Sequence, residues 1–328
     1  MKIAVLGAGA WGTAVGISLA SHHEVTLWVR DAAQCSAIRS RRCNERYLPG
    51  FALPDSLVVE NDFAAALAGC ALALAAVPTS GLRQTLQRLQ AARWTAPVVW
   101  LCKGFERQHA KLPHEVCAEV LGTGVRSGVL SGPSFAEEVA RGLPTAVTLA
   151  SADAEFARDT ARQLHSTTLR LYSSDDVVGV EVAGAVKNVM AIAAGICDGL
   201  KLGLNARAAL ITRGLAEITR LGVRLGGRVE TFMGLAGVGD LILTCTGDLS
   251  RNRRVGIELA RGVPLADILS ALGHIAEGVY SAREVARLAA ELGIEMPITR
   301  AVCRVLDDHT AAGAAVEELL QREPKSEY

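Results

Sequence analysis

The stretch Lys2–Gly12, K-I-A-V-L-G-A-G-A-W-G, decides the fold of this 328-residue chain. Its first part, Lys2–Leu6, has the apolar character of a buried strand, and a G-x-G-x-x-G loop follows at Gly7, Gly9 and Gly12. The first glycine permits a tight turn, the second lets the backbone approach a pyrophosphate, and the third lets the next helix pack on the sheet. That helix would present N–H groups and a partial positive charge to phosphates. The stretch therefore predicts a dinucleotide site.

The second predicted strand, Glu24–Arg30, bears on which dinucleotide is bound. A carboxylate at its end would bind the adenine ribose hydroxyls, whereas an arginine would accept a 2′-phosphate. Both types are present, as Arg30 and Asp31. Arg30 is suited to pairing with a phosphate or stacking on adenine, and a solvated turn is the alternative interpretation. The sequence leaves NAD and NADP open.

Alternating strand and helix patterns predict a parallel sheet covered on both faces in the first half of the chain. The predicted strands are Lys2–Leu6, Glu24–Arg30, Leu57–Glu60, Ala71–Val77, Val98–Cys102, Gly128–Leu130, Thr145–Ala150 and Leu169–Tyr172. After Asp176 the strands stop, and Val178–Gly199 and Asn205–Gly226 are apolar nearly all round, as in a helical bundle. We predict an α/β fold: an N-terminal Rossmann-like, doubly wound sheet in a dinucleotide-binding domain (1–180), then an all-helical substrate-binding domain (181–328).

Composition excludes several classes of function. Lys plus Arg and Asp plus Glu number 34 each, so no net field attracts nucleic acid or an anionic membrane. Eight cysteines without a C-x-x-C pair predict reduced thiols in the cytoplasm. Glycines interrupt the uncharged stretch Ile3–Ala20, which favours strand, turn and helix over a membrane segment, and no other stretch is expected to span a bilayer.

No metal site is predicted, because the His22-His23 pair and the His114–Cys117 run lack further ligands at suitable spacing. Cys102 and Cys245 fall beside candidate site segments, but no histidine is placed by the sequence to activate either thiol. We interpret both as small packing residues.

Four segments set charged or hydrogen-bonding residues in apolar or glycine-rich surroundings: Leu101–Gly104, Ser131–Ala136, Gly184–Val189, and Gly237–Asp240 with Ser250–Arg254. Lys103 follows the carboxyl end of a strand, where open α/β sheets bind ligands. Lys187 lies in a helix with almost no other charge, where loss of solvation would favour the neutral amine and suit proton transfer; a snorkelling lysine is the alternative. Ser250-Arg251-Asn252 offers a hydroxyl, a guanidinium and an amide to a phosphate dianion, unless it is only a solvated charge run or a weak nucleic-acid patch.

A family resemblance joins these segments. The ordered motifs G-A-G-A-W-G, C-K-G, S-G-P-S-F-A, G-A-V-K-N-V, A-R-A-A-L-I-T-R-G, G-L-A-G-V-G-D, T-C-T and S-R-N-R-R resemble NAD(P)-dependent glycerol-3-phosphate dehydrogenase of the bacterial type, over about residues 1–310. The resemblance implies reversible NAD(P)H-dependent reduction of dihydroxyacetone phosphate to sn-glycerol 3-phosphate, supplying glycerophospholipid synthesis. It also implies a soluble cytoplasmic enzyme that forms a homodimer.

The resemblance also assigns roles to individual residues. It makes Lys187 the general acid and base, with Lys103 beside the substrate and Asp240 orienting the lysine or binding a substrate hydroxyl; without it, Asp240 would be interpreted as a turn or capping residue. The implied substrate contacts are Lys103, Gly132, Ser134, Lys187, Asp240, Ser250, Arg251 and Asn252. The implied cofactor contacts are Gly7, Gly9, Ala10, Trp11, Gly12, Arg30, Lys103, Ala136, Arg251, Ile275 and Glu277.

Two departures and two alternatives stand beside this interpretation. Relatives usually carry a longer Asn-Gly-His turn where this chain has Ser21–Glu24, and they often have serine at position 10 and threonine at position 134.

A hydroxy-acid or phosphogluconate-type dehydrogenase shares the helix lysine, but Ser250–Arg254 argues against it. A non-catalytic NAD(P) sensor would need the glycine loop but no proton donor.

Overall fold

The computed structural model describes residues 1–107, 109–272, 276–307 and 310–323. The chain divides into two compact units. The first comprises Met1–Glu106 and Lys111–Glu181, and the second comprises Arg107–Ala110 and the residues from Val182 onward. The assignment of Arg107–Ala110 to the second unit has no counterpart in the sequence pattern.

The first unit contains an eight-stranded sheet and a small hairpin. The strands are β1 Lys2–Leu6, β2 Glu24–Trp28, β3 Cys43–Asn44, β4 Leu48–Ala52, β5 Leu57–Glu60, β6 Leu72–Ala75, β7 Val98–Trp100, β8 Ser127–Ser131, β9 Thr145–Ala150 and β10 Leu169–Ser174. The sheet order is β10-β9-β8-β7-β6-β1-β2-β5. Six neighbouring strands of this sheet, β8, β7, β6, β1, β2 and β5, are parallel to one another. Their order is typical of dinucleotide-binding sheets. The predicted Rossmann-like fold is confirmed.

Two features of the strands differ from the expectation. β8 pairs with β9 in the antiparallel direction, with Leu130 opposite Leu149. The sequence did not reveal this, because a buried strand has the same apolar pattern in either direction. The hairpin β3–β4 was not predicted, since Pro49 and Gly50 within β4 are residues that normally break a strand.

Seven helices belong wholly to the first unit: α1 Ala10–Leu19, α2 Ala32–Arg41, α3 Phe63–Leu67, α4 Thr79–Ala91, α5 Pro113–Leu121, α6 Ala136–Ala140 and α7 Ala154–Leu164. Helix α8, Val177–Gly199, begins in the first unit and continues in the second. The second unit then has α9 Gly203–Arg224, α10 Val229–Phe232, a π-helical turn Leu235–Gly239, α11 Asp240–Thr246, α12 Arg251–Ala260, α13 Leu265–Leu272, α14 Glu277–Glu291, α15 Pro297–Asp307 and α16 Ala312–Leu320. No strand follows β10 in the described part of the chain, so the predicted helical C-terminal half is confirmed.

Local chemistry explains where several helices begin. The carboxylates of Asp31, Asp62 and Asp153 cap α2, α3 and α7 by accepting hydrogen bonds from backbone N–H groups of the first turn. The central strands of the sheet are covered by helices, as Val5 and Leu74 on adjacent strands are completely buried. Each such side chain contributes about 1.5–3 kcal/mol through burial.

Glycines bring α8 and α12 into direct backbone contact. A Cβ on Gly195 would lie 2.0 Å from the carbonyl oxygen of Arg253, and one on Gly256 would lie 2.0 Å from that of Ile192. No larger residue fits at either position without moving a helix. This close approach carries the first turn of α12 against the middle of α8.

Two segments pass a length and hydropathy test for membrane spans, which the sequence analysis did not anticipate. The most apolar window of Val177–Gly199 is 89% buried within the protein, as in a core helix. The window of Val229–Thr246 is 39% buried, and the π-helical turn lies inside it.

Gly256→Ala should destabilise the second unit by about 1–3 kcal/mol, because the new methyl group overlaps a backbone carbonyl of α8. Urea unfolding followed by circular dichroism measures this change. Gly313→Ala is the matched control, since a Cβ at that position of α16 would meet nothing within 4 Å. Equal stability of the two variants would contradict the close packing.

Candidate active site

The glycine loop after β1 has the shape that a pyrophosphate requires. Gly7 has φ +121°, and a Cβ there would lie 2.5 Å from the carbonyl oxygen of Ala76. A Cβ on Gly12 would lie 2.0 Å from the carbonyl oxygen of Gly7. At Gly9, in contrast, a Cβ would meet nothing within 4 Å, and no side chain caps α1 there. The loop therefore leaves open space in front of the N–H groups of α1, which suits a dinucleotide phosphate.

The end of β2 holds the residues that bear on cofactor type. Arg30 is exposed, and Asn61 fixes its backbone by donating from Nδ2 to the carbonyl oxygens of Val29 (2.7 Å) and Arg30 (3.0 Å). Asp31 is also exposed, and its Oδ1 accepts from the N–H of Gln34 at 2.6 Å. The carboxylate of Asp31 thus caps α2, while Arg30 is exposed two residues beyond the end of β2 at Trp28.

Three of the predicted cofactor contacts lie in one apolar cluster. Ala10 and Trp11 begin α1, and Ala136 begins α6. Ala10, Trp11 and Ala136 are half-buried and pack around the buried side chains of Leu48 and Val139. The hairpin strand β4 therefore contributes to the wall beside the glycine loop.

Lys103, Gly132 and Ser134 meet at one edge of the sheet. The carbonyl oxygen of Gly132 accepts from Lys103 Nζ at 3.1 Å and from Ser134 Oγ at 2.9 Å. Gly132 has φ +144°, and a Cβ there would press on Val147 Cα at 3.0 Å. The S-G-P-S motif is therefore a turn that only glycine permits, and it holds an ammonium and a hydroxyl together after β7 and β8.

In the second unit, Lys187 forms a buried ion pair. Its Nζ lies 2.7 Å from Asp240 Oδ1 and 2.7 Å from Thr244 Oγ1. Lys187 is 6% exposed and Asp240 is 1% exposed, so the lysine does not snorkel to the surface. The Thr244 hydroxyl donates to the Asp240 carbonyl oxygen at 2.6 Å, which turns its lone pairs toward the ammonium. A buried pair needs such additional hydrogen bonds, since desolvation of both charges is costly.

The glycine-rich segment before Asp240 forms the π-helical turn. A Cβ on Gly237 would lie 2.1 Å from the carbonyl oxygen of Phe232, so the turn packs directly on α10. Asp240 is the first residue of α11, while Gly239 occupies the capping position. The side chain of Asp240 therefore faces Lys187 and does not cap α11, which differs from the interpretation as a turn or capping residue.

A chain of amides continues beside this pair. Asn252 Nδ2 donates to Asn188 Oδ1 at 3.0 Å, and Asn252 Oδ1 accepts from the N–H of Gly278 at 3.1 Å. Gly278 is required here, because a Cβ would lie 2.5 Å from the carbonyl oxygen of Asn188. The amide of Asn252 is thereby fixed beside the residue that follows Lys187.

The other members of S-R-N-R-R have separate places. Ser250 is buried and caps α12, with its Oγ accepting from the N–H of Arg253 at 3.3 Å. Arg251 is half-buried in the first turn of α12. Arg253 Nε lies 2.7 Å from Asp198 Oδ2 and ties α12 to α8, whereas Arg254 is exposed. The segment is therefore a structured helix start and not a uniformly solvated run.

The remaining predicted cofactor contacts lie near the start of α14. Glu277 is half-buried and is the first residue of this helix. Ile275 lies outside the described residues.

Sequence reasoning missed three polar partners. Thr244 and Asn188 lie within the T-C-T and K-N motifs, and that adjacency was the available signal. The third is Glu181, a buried carboxylate whose Oε1 accepts from Trp100 Nε1 at 2.8 Å and from the N–H of His114 at 3.0 Å.

The side chain of Glu181 also meets the His114 ring, with Oε2 and Nδ1 2.5 Å apart. Burial raises the pKa of Glu181, and burial alone would lower the pKa of His114, but the carboxylate raises it on balance. His114 is thus engaged by a carboxylate. Among the described residues, no group of three or more His, Cys, Asp or Glu side chains is arranged to hold a metal ion.

The predicted residues are divided between the two units. The glycine loop, Arg30 and the Lys103 cluster belong to the first unit. Lys187, Asp240 and the start of α12 belong to the second.

Comparison with known proteins adds family information. Residues 2–157 match the family model described as NAD-dependent glycerol-3-phosphate dehydrogenase N-terminus, and residues 176–317 match that of the C-terminus. A relative from Dechloromonas aromatica, named glycerol-3-phosphate dehydrogenase (NAD(P)+), is 62% identical over 327 residues, covering 100% of this chain and 99% of the relative. The relative of the same name from Nitrosospira multiformis is 63% identical over 331 residues, with the same coverage. The crystal structure of glycerol-3-phosphate dehydrogenase from Coxiella burnetii is 44% identical with a TM-score of 0.94, covering 98% of this chain and 99% of that one.

Cys245 should resist alkylation in the native protein. Burial raises the pKa of its thiol to about 12, so only about one molecule in 10⁴ carries the thiolate at pH 8. Iodoacetamide labelling at pH 8, read by peptide mass spectrometry, tests this, with urea-unfolded protein as the positive control. Rapid labelling of the native protein would contradict the interpretation of Cys245 as a packing residue and would favour a nucleophilic role for its thiol.

Proposed function

This chain belongs to the NAD-dependent glycerol-3-phosphate dehydrogenase family, and from that premise we propose how its residues carry out the reaction. The reaction is the reversible reduction of dihydroxyacetone phosphate to sn-glycerol 3-phosphate with NADH or NADPH. The observation that carries the residue assignment is the buried Lys187–Asp240 pair with its Thr244 hydroxyl.

Lys187 acts as the general acid in reduction and as the general base in oxidation. When bound, the reduced nicotinamide supplies the hydride that reaches carbon 2 of the substrate. Negative charge then develops on the carbonyl oxygen, and the ammonium of Lys187 stabilises this charge and transfers a proton to it. In the reverse direction the neutral amine accepts the hydroxyl proton.

Asp240 and Thr244 hold the ammonium of Lys187 in a fixed orientation. The carboxylate lies 2.7 Å from the ammonium, and both side chains are almost entirely buried. Thr244 accepts a second hydrogen bond and so restricts rotation of the ammonium.

The start of α12 binds the substrate phosphate. Arg251 supplies the guanidinium, Asn252 supplies an amide and Ser250 supplies a hydroxyl, all in or next to the first turn of a ten-residue helix. A helix N-terminus favours a dianion, and the guanidinium fork suits two phosphate oxygens. Lys103, Gly132 and Ser134 contribute the remaining substrate contacts.

The cofactor is bound by the glycine loop together with Ala10, Trp11, Arg30 and Ala136. Further contacts to the cofactor come from Lys103, Arg251, Ile275 and Glu277. The open space at Gly9 supports this assignment, and the exposed Arg30 is compatible with either NAD or NADP. The enzyme works in the cytoplasm and supplies glycerol 3-phosphate for glycerophospholipid synthesis.

Exposed apolar side chains on α9–α11 support a homodimer. Leu204 is 71% exposed, Met233 61% and Ile242 47%. Large exposed apolar side chains are typical of surfaces at which proteins associate. A second copy of this chain covers them.

Lys187→Ala should lower kcat by about 10²- to 10⁴-fold, because the proton donor is lost while the glycine loop is untouched. Loss of reduced-nicotinamide absorbance with dihydroxyacetone phosphate, run separately with NADH and NADPH, measures turnover and the cofactor preference of the wild type. Nucleotide fluorescence titration checks that cofactor binding is kept. Lys111→Ala, a surface lysine paired with Glu119, is the matched control and should leave kcat unchanged.

Undiminished turnover in Lys187→Ala would eliminate the assigned role. A wild-type protein that binds nucleotide but does not turn over dihydroxyacetone phosphate would favour a hydroxy-acid dehydrogenase first and a nucleotide sensor second.

Introducing a charge into the apolar surface should dissociate the dimer. Leu204→Glu and Met233→Glu place carboxylates where apolar contacts are expected, and light scattering after gel filtration should give the monomer mass. Val58→Glu, at a 54% exposed position of β5, should remain dimeric. A monomeric wild type would refute the dimer outright.

A further inference from the structure

The hairpin β3–β4 places one buried amide against the glycine loop. Asn44 is 0% exposed, and both hydrogens of its Nδ2 are directed at the region around the loop. One is donated to the carbonyl oxygen of Ala8 at 3.0 Å and the other to Thr13 Oγ1 at 2.8 Å. Ala8 lies between the first two glycines of the motif, and Thr13 directly follows the third. The amide therefore spans the loop from one side to the other.

The hairpin holds this amide firmly. Asn44 pairs with Leu48 in the ladder, and its carbonyl oxygen accepts from the N–H of Tyr47 at 3.2 Å. Leu48 is buried against Ala14 of α1 in the apolar cluster beside the glycine loop. Gln34 Nε2 adds a long contact of 3.5 Å to Asn44 Oδ1. The donor group thus faces the loop with little freedom to turn away.

A loop with three glycines needs such support, because glycine has more backbone conformations to lose than any other residue. Gly7 and Gly12 are restrained by their close packing, but Gly9 has open space around it. The bond to Ala8 fixes the peptide unit that leads into Gly9. The bond to Thr13 fixes the first turn of α1, whose N–H groups face the open space.

We propose that Asn44 is a positioning residue for cofactor binding, which holds the glycine loop in the conformation that receives the pyrophosphate of the dinucleotide. This inference rests on the proposed function only for the identity of the nucleotide. Asn44 itself acts through Ala8 and Thr13 and takes no part in proton transfer. Its loss should therefore weaken nucleotide binding and leave the chemical step intact.

The test measures nucleotide affinity and loop order in the same variants. Asn44→Asp keeps the shape of the side chain but removes both donors, so the Kd of NADH and NADPH by fluorescence titration should rise about 10-fold or more. The kcat at saturating nucleotide should stay within about threefold. In the protein without nucleotide, amide hydrogen exchange of residues 7–13 should become faster than in the wild type.

A second pair of variants keeps the test decisive if Asn44→Asp fails to fold. Thr13→Val removes the acceptor with little change in shape and should raise the nucleotide Kd severalfold, whereas Thr13→Ser retains the hydroxyl and should restore wild-type affinity. Thr299→Val is the control for general destabilisation. It removes the buried hydrogen bond to Glu217 in the second unit and should lower Tm without changing the Kd of either nucleotide.

Unchanged nucleotide affinity in folded Asn44→Asp, or in Thr13→Val, would overturn the inference. A loss of affinity in Thr299→Val as large as in Asn44→Asp would also overturn it, since the effect would then follow stability alone. Wild-type protein that binds nucleotide without reducing dihydroxyacetone phosphate would contradict the proposed function, but the binding comparison would still decide the role of Asn44. Failure of the wild type to bind either nucleotide would contradict both.

Discussion

The buried ion pair of Lys187 with Asp240 is the constraint around which the second unit is arranged. Two charges removed from water are stable only if their partners are fixed, and here α8 supplies the lysine while α11 supplies the carboxylate and the Thr244 hydroxyl. The π-helical turn sets Asp240 at the first position of α11. Gly237 allows that turn to pack directly on α10.

The two units prepare their polar groups in different ways. In the first unit, glycine conformations open a space at the loop and fold the Gly132 turn so that Lys103 is held by a backbone carbonyl. In the second unit, hydrogen bonds between buried side chains hold Lys187 and Asn252 in place. Both arrangements restrict the groups before any ligand arrives, which lowers the ordering cost of binding and of proton transfer.

Features that are encoded locally could be predicted from the sequence. The glycine spacing and apolar periodicity were enough for the fold class, because each depends on neighbouring residues only. The partner of Lys187 is 53 residues away, and Thr244 is 57 residues away, so local periodicity alone does not pair them with the lysine. Asp240 was reached only through the family resemblance, and the T-C-T motif was the one signal for Thr244. The hairpin that carries Asn44 was hidden by Pro49 and Gly50, and the reversed direction of β9 leaves no trace in its alternation. The roles of the individual site residues remain predictions.

Helix α8 meets its neighbours at a fixed series of positions: Lys187 with Asp240, Asn188 with Asn252, Gly195 with the backbone of α12, and Asp198 with Arg253. Each residue added to an α-helix turns the remainder of the helix by about 100° and advances it by about 1.5 Å. One inserted or deleted residue between Asn188 and Gly195 would therefore break the contacts on one side of the change or the other. Over evolution this part of the chain can exchange residue types far more readily than it can change its length.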